Sequence, residues 1–370
     1  MSDLSTRARA ERRVAAVGRH LASLSAARAR RGLPEPQILL RTPDDELAWG
    51  ERDQPFHAAS IGKIMTATLA VQLAERGMLD LDAPLPRVLP GREWAGLFVV
   101  DGVERAASVT VRRLMAHTSG AADYFEGPTR AARPFVAEVA AERDRLWAPG
   151  DLLDYSRRNQ DPVGEPGAGF SYSDTGYVLL GRVVEEAGGA SLGAQLHERI
   201  FGPVGMTASC LQFHTMPGGS ASPASPGEAL GIAPLWVGDA ELSRARSLSC
   251  DWGGGGVVTT VDDLLRFSEA WTSGELVGEA SRERMSTARH RFRPGIHYGE
   301  GVMELRYGGF MPLLAGMPRA YGHLGVTGAH LFAIPDAGIR LAMNFHSTRE
   351  MTRSFRTHIR LVQHALRHAR

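Results

Sequence analysis

Apolar residues recur every three or four positions among arginines between Ser5 and Arg31, with Val14, Val17, Leu21 and Leu24 on one side. This spacing predicts an amphipathic helix lying on a sheet. Gln37 to Arg41 and Glu46 to Gly50 read as two short strands joined by a turn at Pro43 to Asp45. The pattern changes from Ala59 to Arg76, where Ile61, Ile64, Met65, Leu69, Val71 and Leu73 make a mostly apolar helix that Gly77 is placed to end. Further helical segments are predicted over Thr110 to Ala116, Thr175 to Ala187 and Leu192 to Ile200, separated by loops rich in Pro and Gly. Met216 to Pro226 is a surface loop by composition. The run Thr260-Val261-Asp262-Asp263 caps a helix that reaches about Trp271. Antiparallel strands are then predicted over Tyr298 to Tyr307, Ala320 to Leu324, Ala329 to Ile334 and Ile339 to Phe345. They turn at Gly308-Gly309, Gly325 to Gly328 and Asp336 to Gly338, and a final helix starts at Thr348.

Strands at both ends and helices in the middle imply an α/β (α+β) fold: one antiparallel sheet built from both termini, flanked by terminal helices, with an inserted all-helical lobe. The boundaries fall at about 1–78 and 245–370 for the α/β lobe and about 79–244 for the helical lobe. With 370 residues, 43% of them hydrophobic and 22% charged, the chain can bury a large core. A formal net charge of +1 gives no reason to expect nucleic acid or a membrane surface as partner, and the basic start is accounted for by the helix on the sheet. No apolar run is long enough for a secretory signal or a bilayer span, so the chain reads as cytoplasmic. Cys210 and Cys250 have no zinc or redox spacing and read as semi-buried thiols.

Chemistry enters with one count. Of the 42 lysines and arginines, all but Lys63 are arginine. A chain so biased could have placed arginine there too, unless the position needs an amine able to lose its proton. In Ala59-Ser60-Ile61-Gly62-Lys63, serine and lysine stand three apart at a helix start, on one face and within hydrogen-bond reach. A serine hydroxyl needs a neighbouring base before it attacks a carbonyl, and helix N–H groups favour the negative charge that develops.

Two further segments complete a pattern: Phe170-Ser171-Tyr172-Ser173-Asp174-Thr175-Gly176-Tyr177 before an apolar helix, and Tyr321-Gly322-His323-Leu324-Gly325 closing a strand. In order and spacing the three resemble the Ser-x-x-Lys, Tyr-x-Asn and Lys/His-x-Gly motifs of the class C β-lactamase, penicillin-binding DD-peptidase and esterase family. His117-Thr118-Ser119-Gly120, Leu79-Asp80-Leu81-Asp82 with Pro84, and Gly253 to Thr260 before Asp263 also resemble that family, so the likeness runs from about 37 to 346.

The resemblance implies a single β-lactamase-like catalytic domain with Ser60 as nucleophile, Lys63 and Tyr172 as the proton-handling pair, and no cofactor or metal. Lysine beside the phenol would lower the pKa of Tyr172 and make it the base, and a neutral Lys63 is the alternative. The backbone N–H groups of Ser60 and Val326 would hold the oxyanion, with Gly325 beside the substrate. His323, where many relatives have lysine, would orient the tyrosine hydroxyl or touch the substrate, while His117 reads as structural. Asp174 departs from the family's asparagine: an ionised carboxylate cannot donate to a substrate carbonyl, but it can pair with Lys63, attract a substrate amine, or simply cap the next helix. The glycine run Gly253 to Gly256 would let backbone pass close to substrate.

The implied function is hydrolysis of an ester or amide in a small molecule or short peptide through a Ser60 acyl-enzyme. An acyltransferase and a D-aminopeptidase would use the same residues, and a non-catalytic binding or sensor protein of this fold could have lost them. Specificity would lie in loops such as Asp123 to Arg133 and Met216 to Gly231, and the oligomeric state is open.

Overall fold

A computed structural model describes residues 17–220 and 230–368. One eight-stranded antiparallel sheet joins the two ends of the chain. Strands β1 (Gln37–Arg41) and β2 (Glu46–Trp49) come from the N-terminal part. The C-terminal part supplies β3 (His290–Arg293), β4 (Ile296–Tyr298), β5 (Met303–Leu305), β6 (Ala320–Gly325), β7 (Ala329–Ile334) and β8 (Ile339–Asn344). The spatial order is β3-β4-β5-β6-β7-β8-β1-β2, and pairing of Gln37 with Asn344 through Arg41 with Arg340 closes the junction between the two parts. Every residue of β7 is buried, as expected of a strand covered on both faces, whereas β2 alternates exposed and half-buried positions at the edge.

Both faces of the sheet carry helices. Against one lie α1 (17–29) and α5 (Met351–His368), burying Val17, Leu21, Ile38, Leu341, Met343 and Leu361. Arg28 of α1 and Glu350, just before α5, form a fully buried ion pair (Nη1 to Oε2, 2.8 Å). Against the other face lie α2 (Gly62–Glu75) and α4 (Val261–Ser273), with α3 (Asp174–Gly188) packed on α2. Every residue from Gly62 to Leu73 is buried, so α2 is a central helix without a solvent face, and Lys63 is buried with it.

Tyr298 to Tyr307 is not the single strand its composition predicts. It is a hairpin, β4 and β5, because Gly299 N–H donates to Val302 O and Gly301 takes a left-handed φ of 83° that glycine accepts without strain. Strand β3 went unpredicted. Its half-buried His290 and Phe292 alternate with exposed arginines, a weak signal at a sheet edge. Cys210 and Cys250 are fully rather than partly buried. The predicted helix from Ser5 and the loops ending at Pro226 and Gly231 lie partly outside the described residues. Among the described residues no helix is long and apolar enough to cross a membrane.

Buried histidines make the fold sensitive to acid. Burial pulls His346 down to about 4 and His358 down to about 3, and burial with the neighbouring His358 holds His330 well below its usual value. These rings are neutral when folded but bind protons near pH 6.5 when unfolded, so their stabilisation is complete above that pH and is lost as pH falls toward the folded values. Each contributes a slope of up to about 1.4 kcal/mol per pH unit. Thermal melts should therefore fall steeply from pH 6.5 to 4.5, and His358→Gln should flatten the slope. Equal slopes in both proteins would contradict this account.

Candidate active site

The site is assembled where α2 begins. Ala59 adopts a left-handed φ of 49°, a conformation worth about 1–3 kcal/mol of strain in a non-glycine residue, and this turn aims Ser60 out of the helix start. Two contacts hold it: Ala59 N–H donates to His57 Nδ1 (3.2 Å), and Gly62 N–H donates back to Ala59 O. Burial keeps His57 neutral at about 4, and because Nδ1 accepts, its proton sits on Nε2, 3.8 Å from Asp251 Oδ2.

Lys63 has no exposed surface. Its ammonium donates to Ser60 Oγ (3.1 Å), to Gly254 O (2.7 Å) and to Asp174 Oδ1, so three acceptors satisfy its three donors. Burial opposes the charge, but Asp174, Tyr172 and Asp251 together outweigh it and hold the amine above its ordinary pKa. Asp174 does not cap α3. That role belongs to Ser173, whose Oγ accepts from Gly176 N–H (3.1 Å), leaving the Asp174 carboxylate to face Lys63. Nor do the glycines 253–256 serve the substrate first: a Cβ on Gly254 would lie 2.6 Å from Asp174 Oδ1 and 3.3 Å from Lys63 Nζ, so glycine is needed to pack on the ion pair.

Tyr172 lies beside this pair, its ring centre 5.0 Å from Lys63 Nζ. Its ring is stacked between His117 (4.2 Å) and Phe292 (5.1 Å), and His117 Nδ1 accepts from Ser173 N–H (3.0 Å), fixing the loop that carries the tyrosine. Burial raises the Tyr172 pKa and the nearby ammonium recovers only part of that shift, so the lowered pKa expected from Lys63 alone is not what the site produces. The expectation omitted the desolvation that accompanies placing both groups inside the protein.

His323 is fully buried rather than facing substrate. Its Nδ1 donates to Leu324 O (2.8 Å), so Nε2 accepts from Tyr298 Oη (3.0 Å), whose ring stands edge-on to Tyr172 at 6.0 Å. The imidazole thus reaches Tyr172 only through Tyr298. Gly325 has a packing role: a Cβ there would come within 2.7 Å of Ala58 O, so its absence lets β6 approach the turn that carries Ser60. Among the described residues, no acceptor takes the backbone N–H of Ser60 or Val326.

Ser60, Tyr172, Asp174, Gly325 and Val326 line one cavity of about 720 Å³. Two carboxylates there had no sequence signal, Asp123 and Asp251. Burial and the charge of Asp174 push each up to about 7; backbone N–H groups at Asp174, Phe125 and Glu126 oppose this for Asp123, and Lys63 opposes it for Asp251.

Residues 42–366 match the family described as Beta-lactamase. The chain belongs to that family. Two curated relatives of this β-lactamase-family chain are penicillin-binding protein 4 of Amycolatopsis lactamdurans, 36% identical over 42% of the chain and 36% of the relative, and monacolin J acid methylbutanoyltransferase of Aspergillus terreus, 30% identical over 45% and 40%. The matches thus span well under two thirds of those relatives' own length. A solved D-stereospecific amidohydrolase from Streptomyces sp. is 26% identical, covers 90% of the chain with 94% of its own, and superposes with a TM-score of 0.72. The fold is that of the β-lactamases and penicillin-binding proteins, and the family's esterases and amidases are serine hydrolases.

Proposed function

We propose that this β-lactamase-family chain cleaves an ester or amide bond through a Ser60 acyl-enzyme. The observation that carries the reading is the buried Lys63 ammonium, which links Ser60 Oγ to Asp174 with every donor filled. A lysine so held is a fixed cation, which leaves Tyr172 to take the serine proton; with its pKa raised by burial, the phenolate is the minor form at neutral pH but a strong base. Ser60 Oγ then bonds to the carbonyl carbon, and the oxyanion accepts hydrogen bonds from the N–H groups of Ser60 and Val326. Collapse breaks the bond to the leaving group, which receives the proton from Tyr172. Water repeats the sequence and frees the acid. His323 and His117 position Tyr172 rather than touch substrate. The two lobes, about 1–78 with 245–370 and about 79–244, act as one catalytic unit on a small-molecule or short-peptide substrate.

Intact-mass analysis after exposure to activated esters, D-amino acid amides and a penicillin tests the proposal. An adduct on Ser60 is the expected result, and no adduct with any of them would overturn it. A second reading, a substrate carrying a free amine, draws on the acidic groups Asp123, Asp174 and Asp251 that line the cavity and on the likeness to the Streptomyces amidohydrolase. It predicts preference for D-amino acid amides over their N-acetylated forms. Transfer of the acyl group to an added alcohol or amine would mark an acyltransferase, the activity named in the Aspergillus relative.

The Asp174 charge raises the pKa of Lys63 and of Tyr172 alike. In Asp174→Asn both should fall, so the rising limb of kcat/KM against pH should move to lower pH. Removing one partner of a buried pair should also cost about 3–5 kcal/mol at most, read as a lower Tm. Restoring the family's amide donor should in addition speed acylation by penicillins; a slower reaction, or an unmoved limb, would contradict the role given to Asp174.

A further inference from the structure

The cavity has two unlike ends. Its acidic end is lined by Asp123 and Asp174 of the helical lobe and by Asp251 of the α/β lobe. Toward the sheet edge it is lined by Ile296 and Met303 of β4 and β5, Leu324 of β6, and Met351 and Phe355 of α5. Ile296, Met303 and Leu324 are buried and form the floor, while Met351 and Phe355 are only half-buried on the first turns of α5. These five side chains offer an arm no strong hydrogen-bond partner; Arg293 at the end of β3 and Thr348 just before α5 are polar residues in the same lining, so this end selects mainly by apolar area and shape.

The wall contributed by α5 is anchored. Glu350, immediately before it, is held by the buried Arg28, and Ser354 within it donates to Met351 O and accepts from His330 Nε2 (2.8 Å each). Phe355 also packs edgewise on His330 (4.9 Å). Helix α5 therefore presents Met351 and Phe355 at a set distance from Leu324, one residue from Gly325 and two from the Val326 N–H. An apolar group entering here would be covered by side chains already in place.

We propose that the end walled by Met351 and Phe355 is a subsite for an extended apolar arm attached to the reactive carbonyl group, so the substrate class is an ester or amide with an aliphatic or aryl arm. The proposal rests on Ser60 being the nucleophile. An arm that fills the end removes water from Met303, Leu324, Met351 and Phe355 together, and each methylene buried supplies roughly a fourfold gain in affinity for the transition state.

Alkyl fluorophosphonates with methyl, butyl and octyl arms test this on the full chain, with modification of Ser60 followed by intact mass. The phosphorus–fluorine bond breaks as the Ser60 oxygen–phosphorus bond forms, and the hydroxyl proton leaves with fluoride. Inactivation rates should rise by roughly fourfold per methylene until the arm fills the end. Met351→Trp, which fills the end from a half-buried position, should abolish the gain from methyl to octyl, lowering the octyl rate far more than the methyl rate. Phe355→Ala should move the best arm to a longer one. Rates that do not depend on arm length, or a Met351→Trp that lowers methyl and octyl rates equally, would overturn the subsite while leaving the nucleophile in place. If no probe modified Ser60, the nucleophile would be wrong and the subsite would fall with it.

Discussion

Ser60→Ala is expected to lose at least about a thousandfold in acylation while keeping its fold, the scale seen when other serine nucleophiles are removed. The packing of the helix start comes from neighbours: Ile61, Ile64 and Met65 are buried in the main core, whereas Ser60 is half-buried with its hydroxyl at the cavity. Losing that oxygen takes one acceptor from Lys63 but leaves Asp174 and Gly254 in place. The Tm should therefore stay close to that of the parent, and the reactive-ester adduct should vanish from the mass spectrum. Undiminished turnover by the variant would end the assignment of Ser60.

Lys63→Arg separates geometry and proton transfer from mere positive charge. If a fixed cation were enough, the variant would keep a substantial part of its activity. Loss of more than tenfold in kcat/KM is expected instead, since Nζ sits in a closed cage of Ser60 Oγ, Gly254 O and Asp174 Oδ1. Gly254 is glycine because even a Cβ would come 3.3 Å from that nitrogen, so a planar guanidinium has no volume to occupy. Retention of more than a tenth of kcat/KM would mean that less than ~1.4 kcal/mol of transition-state stabilisation is at stake and would refute the special role of the only lysine. A uniform drop at all pH values would identify geometry as the cause, and an acid limb moved upward would identify proton transfer.

The main features of the fold were legible because they are local. The apolar run of α2 has no polar face to place in water, Thr260 caps α4 through its own hydroxyl at 3.2 Å from Asp263 N, and Gly338 takes the left-handed φ of 63° that the predicted turn needs. Strand β3 and the division of β4 from β5 were not: these strands of four, three and three residues are too short for alternation to register, although each pairs with a neighbour close in sequence. The candidate residues Ser60, Lys63, Tyr172 and Asp174 could be picked out because their spacing and their position before helices are themselves chemical signals. His57, Asp123 and Asp251 carry no such signal. Each becomes relevant only through a contact made in three dimensions: His57 with the Ala59 N–H, Asp123 and Asp251 with the field of Asp174.

By itself the sequence determined that the chain folds around a sheet made from its two ends, and that a serine, the only lysine and a tyrosine stand ready at helix starts. Tertiary structure decided the charges on them. Burial removes water, and with it the screening that would have let each group keep its ordinary pKa. Lys63 thus stays an ammonium because Asp174, 111 positions away, meets it inside the core. Tyr172 is made a weaker acid by the same burial, and His323 is turned from the substrate toward Tyr298. Those outcomes depend on which groups share a low-dielectric interior, and no local spacing encodes that.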